Sequence, residues 1–539
     1  MFGLAWLDLV VMVAYFIGII LFGLWISRRV KTEEDYFLGG RRFGKLVLVF
    51  HWLCTGTHTD NPVQVCGATF RVGLGGIWYQ WMWLFCTPFY WLIAPLTRRL
   101  RYLTTGDFFR ERYSPGLERL YSLFGLAFYT MTIAGVVLGA GRAISGATAG
   151  AIHLGHAVIM LSCVSAIYVM TGGIVAAAYT DIVQGILIIV LSVLLIPFGL
   201  HAAGGAAAVG KALPAGMLSV VAPAGAKEGT LFFVAMMSLM SLVGIVVQPH
   251  TLTATGSGKT ELEARLGMCY GNFIKRLLTI AWAFAGVVAF ALFAPNGLTP
   301  EHSDEAWGRL IRELLPAGLR GLMLAAMLAG VTACETYMVV GSSLFTRNFY
   351  THLVRGRPDG HYLLVGRIAS LAMLAGGVLV AFAMPSLTKV LKVSMEVIAL
   401  IGAAFWVGIA WRRANAWGAW AGTLSAAAVW AFTYWAGWDT PVRVAIFVPV
   451  EFGVLILVSL LTPRQPDAVL DPFYARMHVS VAAEKGSGLV LDPDRPKLIR
   501  HPDFEVPKLT AMDIGGFVLA WLLVAGLILL LMGLAAALR

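Results

Sequence analysis

The sequence predicts an all-α polytopic membrane protein, and three observations carry the prediction. Hydrophobic residues make up 59% of the 539 and charged residues only 13%, about half the share of a soluble globular chain. The apolar residues gather into stretches of roughly 20, the length that crosses a bilayer as a helix, and there are about 14 of them. The basic residues fall between those stretches, so the formal net charge of +11 reads as a topology signal and not as a nucleic-acid surface. What remains outside the spans is too little for a soluble catalytic domain of ordinary size.

The stretches run in order at 4–27, 45–70, 75–97, 118–142, 155–172, 178–200, 231–250, 274–294, 319–343, 362–384, 389–411, 415–436, 441–462 and 513–537. In lipid each must satisfy its own backbone hydrogen bonds, and length and composition select helices over barrel strands. The first has Arg28 and Arg29 behind it and no basic leader ahead, so it reads as an uncleaved span. The second is interrupted by a polar run from Thr55 through Gly56, Thr57, His58, Thr59, Asp60 and Asn61 to Pro62. Proline lacks the donor a helical ladder needs and glycine loosens the backbone, which predicts unwinding at mid-membrane; the competing reading is an interfacial loop before a shorter span. The Ala- and Gly-rich loop 201–228 carries no recognisable chemistry, while 295–318 has the pattern of a short amphipathic helix lying at the interface. The Pro-rich stretch 463–512 reads as a cytoplasmic loop tethering the last helix.

Alternate loops differ in charge. One set holds Arg41, Arg42, Arg98, Arg99, Lys259, Arg265, Lys275, Arg276, Arg412, Arg413 and the basic residues of 464–508, and collects the greater part of the 40 Lys and Arg. By the positive-inside rule that side is cytoplasmic and both termini lie outside a cell membrane. Six cysteines, at 54, 66, 86, 163, 269 and 334, form no CxxC pair and imply no disulfide framework.

A charge inside an apolar span is a functional candidate by default. Asp60 and His58 lie in the interrupted stretch, and broken helices in transporters offer carbonyls and helix ends to solute and ions near the midplane. Glu335, inside 319–343, is either a proton or cation site or a carboxyl paired to another helix. Glu396 and Glu451 sit nearer to span ends and are weaker candidates. TGSGKT at 255–260 imitates a phosphate loop, but Thr253 stands where the first glycine belongs and no strand precedes it, which rules out nucleotide binding. His153 and His156 lack a third metal ligand. The expected partners are a small-molecule solute and the bilayer, with no cofactor and no nucleic acid.

Several ordered motifs resemble the sodium:solute symporter family. EDYFLGGRRFG at 34–44, GATFRVGLGGIWYQW at 67–81 and TTGDFFRERY at 104–113 are similar to its early loops, the last with Gly106 and Asp107 for Pro and Glu. YVMTGGIVAAAYTDIVQ at 168–184 matches the family pattern most specifically, and QPHTLTATGSGKTELEAR at 248–265 supplies its Q…AR element. The resemblance runs from about residue 34 to 350 and weakens afterwards.

It implies a LeuT-like core of two inverted five-helix repeats, 45–200 and 231–411. The flanking helices are then 1–30, 415–462 and 513–539, with the loop 463–512 between the last two. Solute and sodium would sit between the broken helices that begin the repeats. Carried over by position, the sodium site takes carbonyls at Cys54 and Thr57 and at Gly330, with Ala333 and Cys334 where the family has two hydroxyls. A register shifted by one offers Ala329 and Thr332 instead. Sodium is a hard cation that wants oxygen, so alanine and a thiol depart from the pattern. Gln80 stands where sugar-carrying relatives have a substrate-contacting glutamate, which argues against a sugar.

The expected function is secondary active transport of a small polar organic solute, coupled to sodium as the family implies or to a proton held by Asp60 or Glu335. The alternatives are an uncoupled carrier of the same fold, a solute-sensing receptor, for which 463–512 is a poor output domain, a channel, and an intramembrane enzyme built on Asp60, His58 and Glu335.

Overall fold

The computed structural model describes residues 3–27, 41–102, 104–169, 174–223, 226, 228–331, 334–478, 497–499 and 501–539. Within them the chain is helices joined by turns, and its β pairing is confined to isolated bridges such as that between Trp411 and Phe504. Among the described residues seven helices are long and apolar enough to cross a membrane: Pro115–Ala147, Ala178–Ala202, Glu261–Phe293, Asp359–Ala383, Leu387–Ala410, Thr440–Leu461 and Ala511–Ala537. Taking the pair Leu231–Ile245 and Pro249–Gly256, bent by 59°, as one crossing makes eight. Shorter apolar helices include Trp6–Ile19, Lys45–Thr55, Leu154–Cys163 and Leu319–Leu328.

Burial separates core from flank. The apolar window of Leu387–Ala410 is 89% buried and that of Glu261–Phe293 is 78%, against 17% for Ala511–Ala537. A helix buried all round belongs to the core, whereas one that exposes leucines along most of its length faces lipid. Trp6–Ser27 is another flank. Its Trp6, Val13, Ile17 and Leu21 are exposed, while Asp8 is fully buried and accepts the Gly318 and Gly321 N–H groups at 2.8 and 3.0 Å. Arg320 completes that cap at 2.6 Å, fastening the flank to the start of Leu319–Val331.

The interrupted second stretch forms two helices, Lys45–Thr55 and Asp60–Val72, separated by the unwound residues 56–59. Pro62 falls in the first turn of the second half, where its missing N–H has no intrahelical partner to lose. That half stops at Gly73, whose φ of +74° suits glycine, and the Met217 backbone occupies the space a Cβ would need. Gly139 of Pro115–Ala147 lies against the break: a Cβ there would come within 2.4 Å of the Asp60 Cα. The backbones meet because the residue between them is small.

Two basic residues counted with a charged loop from sequence, although they open the apolar stretch 274–294, are buried within a helix. Lys275 and Arg276 are 5% and 2% exposed, inside the continuous helical span Glu261–Phe293. Lys275 lies roughly 21 Å along that span at 1.5 Å per residue. The cause is that Leu266–Gly271, a π turn, keeps the chain helical well before the apolar run begins. Two further expectations change in kind. Ala306–Leu314 is the amphipathic helix foreseen in 295–318, but it packs on protein and not on lipid: Trp307, Leu310 and Ile311 are fully buried, and Gly308 lets the Ala143 carbonyl approach. Within 463–512, Asp467–His478 is a docked helix with Leu470, Phe473, Tyr474 and Met477 buried. Glu505 binds Arg412 at 2.8 Å, Lys497 at 2.9 Å and His478 at 3.0 Å, so this stretch is anchored to the core's end; 479–496 and 500 lie outside the described residues.

Candidate functional site

The unwound residues 56–59 free backbone carbonyls that a continuous helix would have used, and side chains from distant helices take them. Lys275 Nζ donates to the Gly56 carbonyl. The Tyr337 hydroxyl donates to the Thr55 carbonyl at 2.8 Å, and Thr59 Oγ1 donates to the Met327 carbonyl. Asp60 is the first residue of its helix, where the N-terminal dipole favours a carboxylate.

His58 bridges the break and its surroundings. Its Nε2 lies 2.8 Å from the Thr55 carbonyl and also meets the Tyr337 hydroxyl. Its Nδ1 faces Asp60 Oδ1 at 3.5 Å.

Beside the break lies a cavity of about 80 Å³, and it gathers three of the residues expected from sequence: His58, Asp60 and Gln80 line it. Gln80 Nε2 donates to Gln64 Oε1 at 3.2 Å, which leaves the Gln80 Oε1 buried without a partner. The wall also contains Asn61, Gln248, His250, Lys275, Arg276 and Tyr337, none of which sequence reasoning placed in a site. Trp83 presents its ring to both Lys275 and Arg276 at 5.7 Å. The missed signal was the apolar run ahead of Lys275-Arg276, which marks the two cations as lying within a span.

The residues carried over for a sodium site are covered in part. Cys54 and Thr57 are buried at the break; the Cys54 carbonyl accepts the Thr57 N–H at 2.9 Å, and Thr57 Oγ1 is buried with no partner. Gly330 lies within Leu319–Val331, and Cys334 is fully buried. Thr332 and Ala333, and the side chain of Glu335, lie outside the described residues. The described donors are thus oxygens on the broken helix, the Gly330 carbonyl and the Cys334 thiol. One turn before Cys54, fully buried His51 meets Asp181 through Nδ1 and Oδ2 at 2.8 Å, and Cys54 Sγ donates to the Asp181 carbonyl at 3.1 Å.

The weaker carboxylates have structural partners. Glu396 pairs with Arg443 at 2.6 Å and accepts from Trp430 at 2.8 Å, and Glu451 Oε1 accepts the Ala403 N–H at 2.9 Å where Gly402–Ala410 begins. No group of three His, Cys, Asp or Glu able to hold a metal ion occurs among the described residues.

Comparison with known proteins agrees with this architecture. The model of the sodium:solute symporter family matches residues 36–425. A sodium/glucose cotransporter of Vibrio parahaemolyticus is 22% identical over 458 residues, covering 77% of this chain and 83% of that one. A sodium/pantothenate symporter of Haemophilus influenzae is 26% identical over 434 residues, covering 77% and 87%. Among solved structures, a Na+-coupled sialic acid symporter in a substrate-bound outward-open state superposes with a TM-score of 0.73 at 18% identity, covering 85% of this chain and 98% of that one. This last likeness establishes the fold.

Proposed function

Because the chain belongs to the sodium:solute symporter family, we propose that it carries a small polar organic solute by cation-coupled alternating access through the cavity at the helix break. The family is one of multi-pass membrane cotransporters and not of enzymes. The observation that carries the reading is the break at 56–59 with His58, Asp60, Gln80 and Lys275 converging on one cavity from three separate parts of the chain. A bound solute there would supply the hydrogen bond that the orphan Gln80 oxygen lacks.

The second bent pair, Leu231–Ile245 with Pro249–Gly256, supports the arrangement of two inverted repeats at 45–200 and 231–411, each opening with an interrupted helix. Asp60, His58 and Gln80 contact solute in this reading. Sodium, the family's coupling ion, would use oxygens at Cys54, Thr57 and Gly330 with what the Thr332–Cys334 stretch provides. The cell membrane with both termini outside remains the orientation the loop charges favour, even with Lys275 and Arg276 removed from the count.

A second reading, coupling to protons, is favoured by the approach of His58 to Asp60 and by the buried His51–Asp181 pair beside Cys54. Glu335 is a further proton-site candidate.

Two-sided access tests the transport reading without knowledge of the solute. Thr132 lines the cavity, and a Thr132→Cys variant is reacted with a membrane-impermeant maleimide in oriented vesicles from either face. Labelling from both faces, in proportions that respond to sodium or to pH, is expected. Labelling from a single face under every condition would point to a receptor or an enzyme.

A further inference from the structure

The cavity carries more positive charge than its own residues neutralise. Lys275 and Arg276 both line it from the span Glu261–Phe293, and neither forms an ion pair among the described residues. Lys275 is occupied with the Gly56 carbonyl. Arg276 is less well served. Its own carbonyl accepts from Trp81 at 3.0 Å, but the guanidinium Nε and Nη1 are buried with no hydrogen-bond partner, and the hydroxyl of Tyr90, not a carboxylate, stands beside it. Asp60 is the one carboxylate on the described wall, and its Oδ1 lies 3.5 Å from His58 Nδ1.

The Arg276 guanidinium thus has no carboxylate partner among the described residues. A guanidinium has five donors in a planar fork that matches a carboxylate, and burying it with two nitrogens unused is unfavourable unless a ligand arrives to use them. The cavity also has an apolar wall: Phe128, Ile245, Val390 and Leu391 line it. We propose that the solute is a small organic monocarboxylate, its carboxylate held by Arg276 with Lys275 alongside and its carbon body seated on that apolar wall. The proposal rests on reading this cavity as the transport site and names the substrate class for it. It also gives a reason for Gln80: with the charge supplied by the two cations, that position needs only a neutral hydrogen-bonding amide.

The test has two arms on the purified full-length protein at fixed sodium, pH and ionic strength. In the first, the thermal midpoint is measured with acetate, propionate, lactate, pyruvate, nicotinate or benzoate, each against its neutral amide. At least one carboxylate should raise the midpoint saturably while its amide does not. Arg276→Gln should weaken that binding by tenfold or more, and Arg276→Lys, which keeps the charge and loses the fork, should restore only part. Equal responses to acid and amide, or no response to any of the acids, would overturn the assignment. The second arm needs no ligand. In carboxylate-free buffer Arg276→Gln should melt at or above the wild-type midpoint, because it removes an uncompensated buried charge; a fall of several degrees would make Arg276 a structural residue and overturn the proposal. Failure of the transport reading itself appears separately, as one-sided labelling of Thr132→Cys.

Discussion

Substituting alanine for Gly139 probes the seam that holds the broken helix in place. A Cβ at 139 would lie 2.4 Å from Asp60 Cα, 2.6 Å from its Cβ and 3.0 Å from its N. Ordinary carbon contacts are about 3.5–4.0 Å, so the two helices must part by more than ~1 Å. The obstructing atoms are mostly backbone, so no rotamer change relieves them. Overpacking of this kind costs roughly 1–3 kcal/mol, of which the better helix propensity of alanine returns at most about 1. Gly135, one turn earlier on the same helix, provides the control: a Cβ there meets Val390 Cγ1 at 3.6 Å and Asp60 Oδ2 at 3.9 Å, which is ordinary contact. Gly135→Ala should therefore melt at or slightly above the wild-type midpoint, and Gly139→Ala a few degrees below it. Because Asp60 moves with the seam, Gly139→Ala should also reduce uptake of the identified solute by up to about 100-fold, the penalty of an ångström-scale misplacement. The assay is thermal unfolding of both variants in the same lipid, followed by uptake. Equal midpoints for the two variants would refute the claim that this contact sets the geometry of the break.

Two further outcomes follow from the site and from the anchored C-terminal stretch. Asp60→Asn should abolish most transport while the protein remains folded and monodisperse, and full activity in that variant would remove Asp60 from the site. Burial alone would raise the Glu505 pKa, but hydrogen bonds from His478, Lys497 and Arg412 outweigh it and hold the carboxyl at about 2. A depressed folded value stabilises above the unfolded value of about 4.3 and is lost as pH falls through the folded one, so acid should loosen the anchored stretch between pH ~4 and ~2. Amide hydrogen exchange in Asp467–His478 is the readout for that loosening, and Glu505→Gln should show it already at neutral pH; a variant exchanging at the wild-type rate at every pH would contradict it.

The sequence made the local physics legible and left the long-range physics hidden. Apolar stretches had to be helices because lipid supplies no other partner for the backbone, and their described residues are helical apart from short breaks such as 56–59 and 82–86. The break at 56–59 was visible because Gly56 and Pro62 bracket a polar run, whereas the bend before Pro249 was masked by the apolar residues around it. His58, Asp60 and Gln80 were recognised as candidates one by one; their meeting in a single cavity depends on packing between distant helices, as do the contributions of His250, Lys275 and Tyr337. Lys275 and Arg276 were misplaced for a specific reason: charge counting assigns a residue by the loop it adjoins, and the π turn at Leu266–Gly271 carried the helix past that boundary. The anchoring of 463–512 was likewise hidden, because Glu505 finds Arg412, Lys497 and His478 only after the chain has folded back.

The account turns most directly on whether the folded protein binds its coupling ion. The measurement is the thermal midpoint of the purified protein as sodium replaces potassium at constant ionic strength and pH. A ligand of the native state stabilises it by RT ln(1 + [L]/Kd), about 2.7 kcal/mol at a hundredfold excess over Kd, whatever the solute. The account predicts a saturable rise with sodium. A midpoint indifferent to sodium across the usable range would contradict sodium coupling.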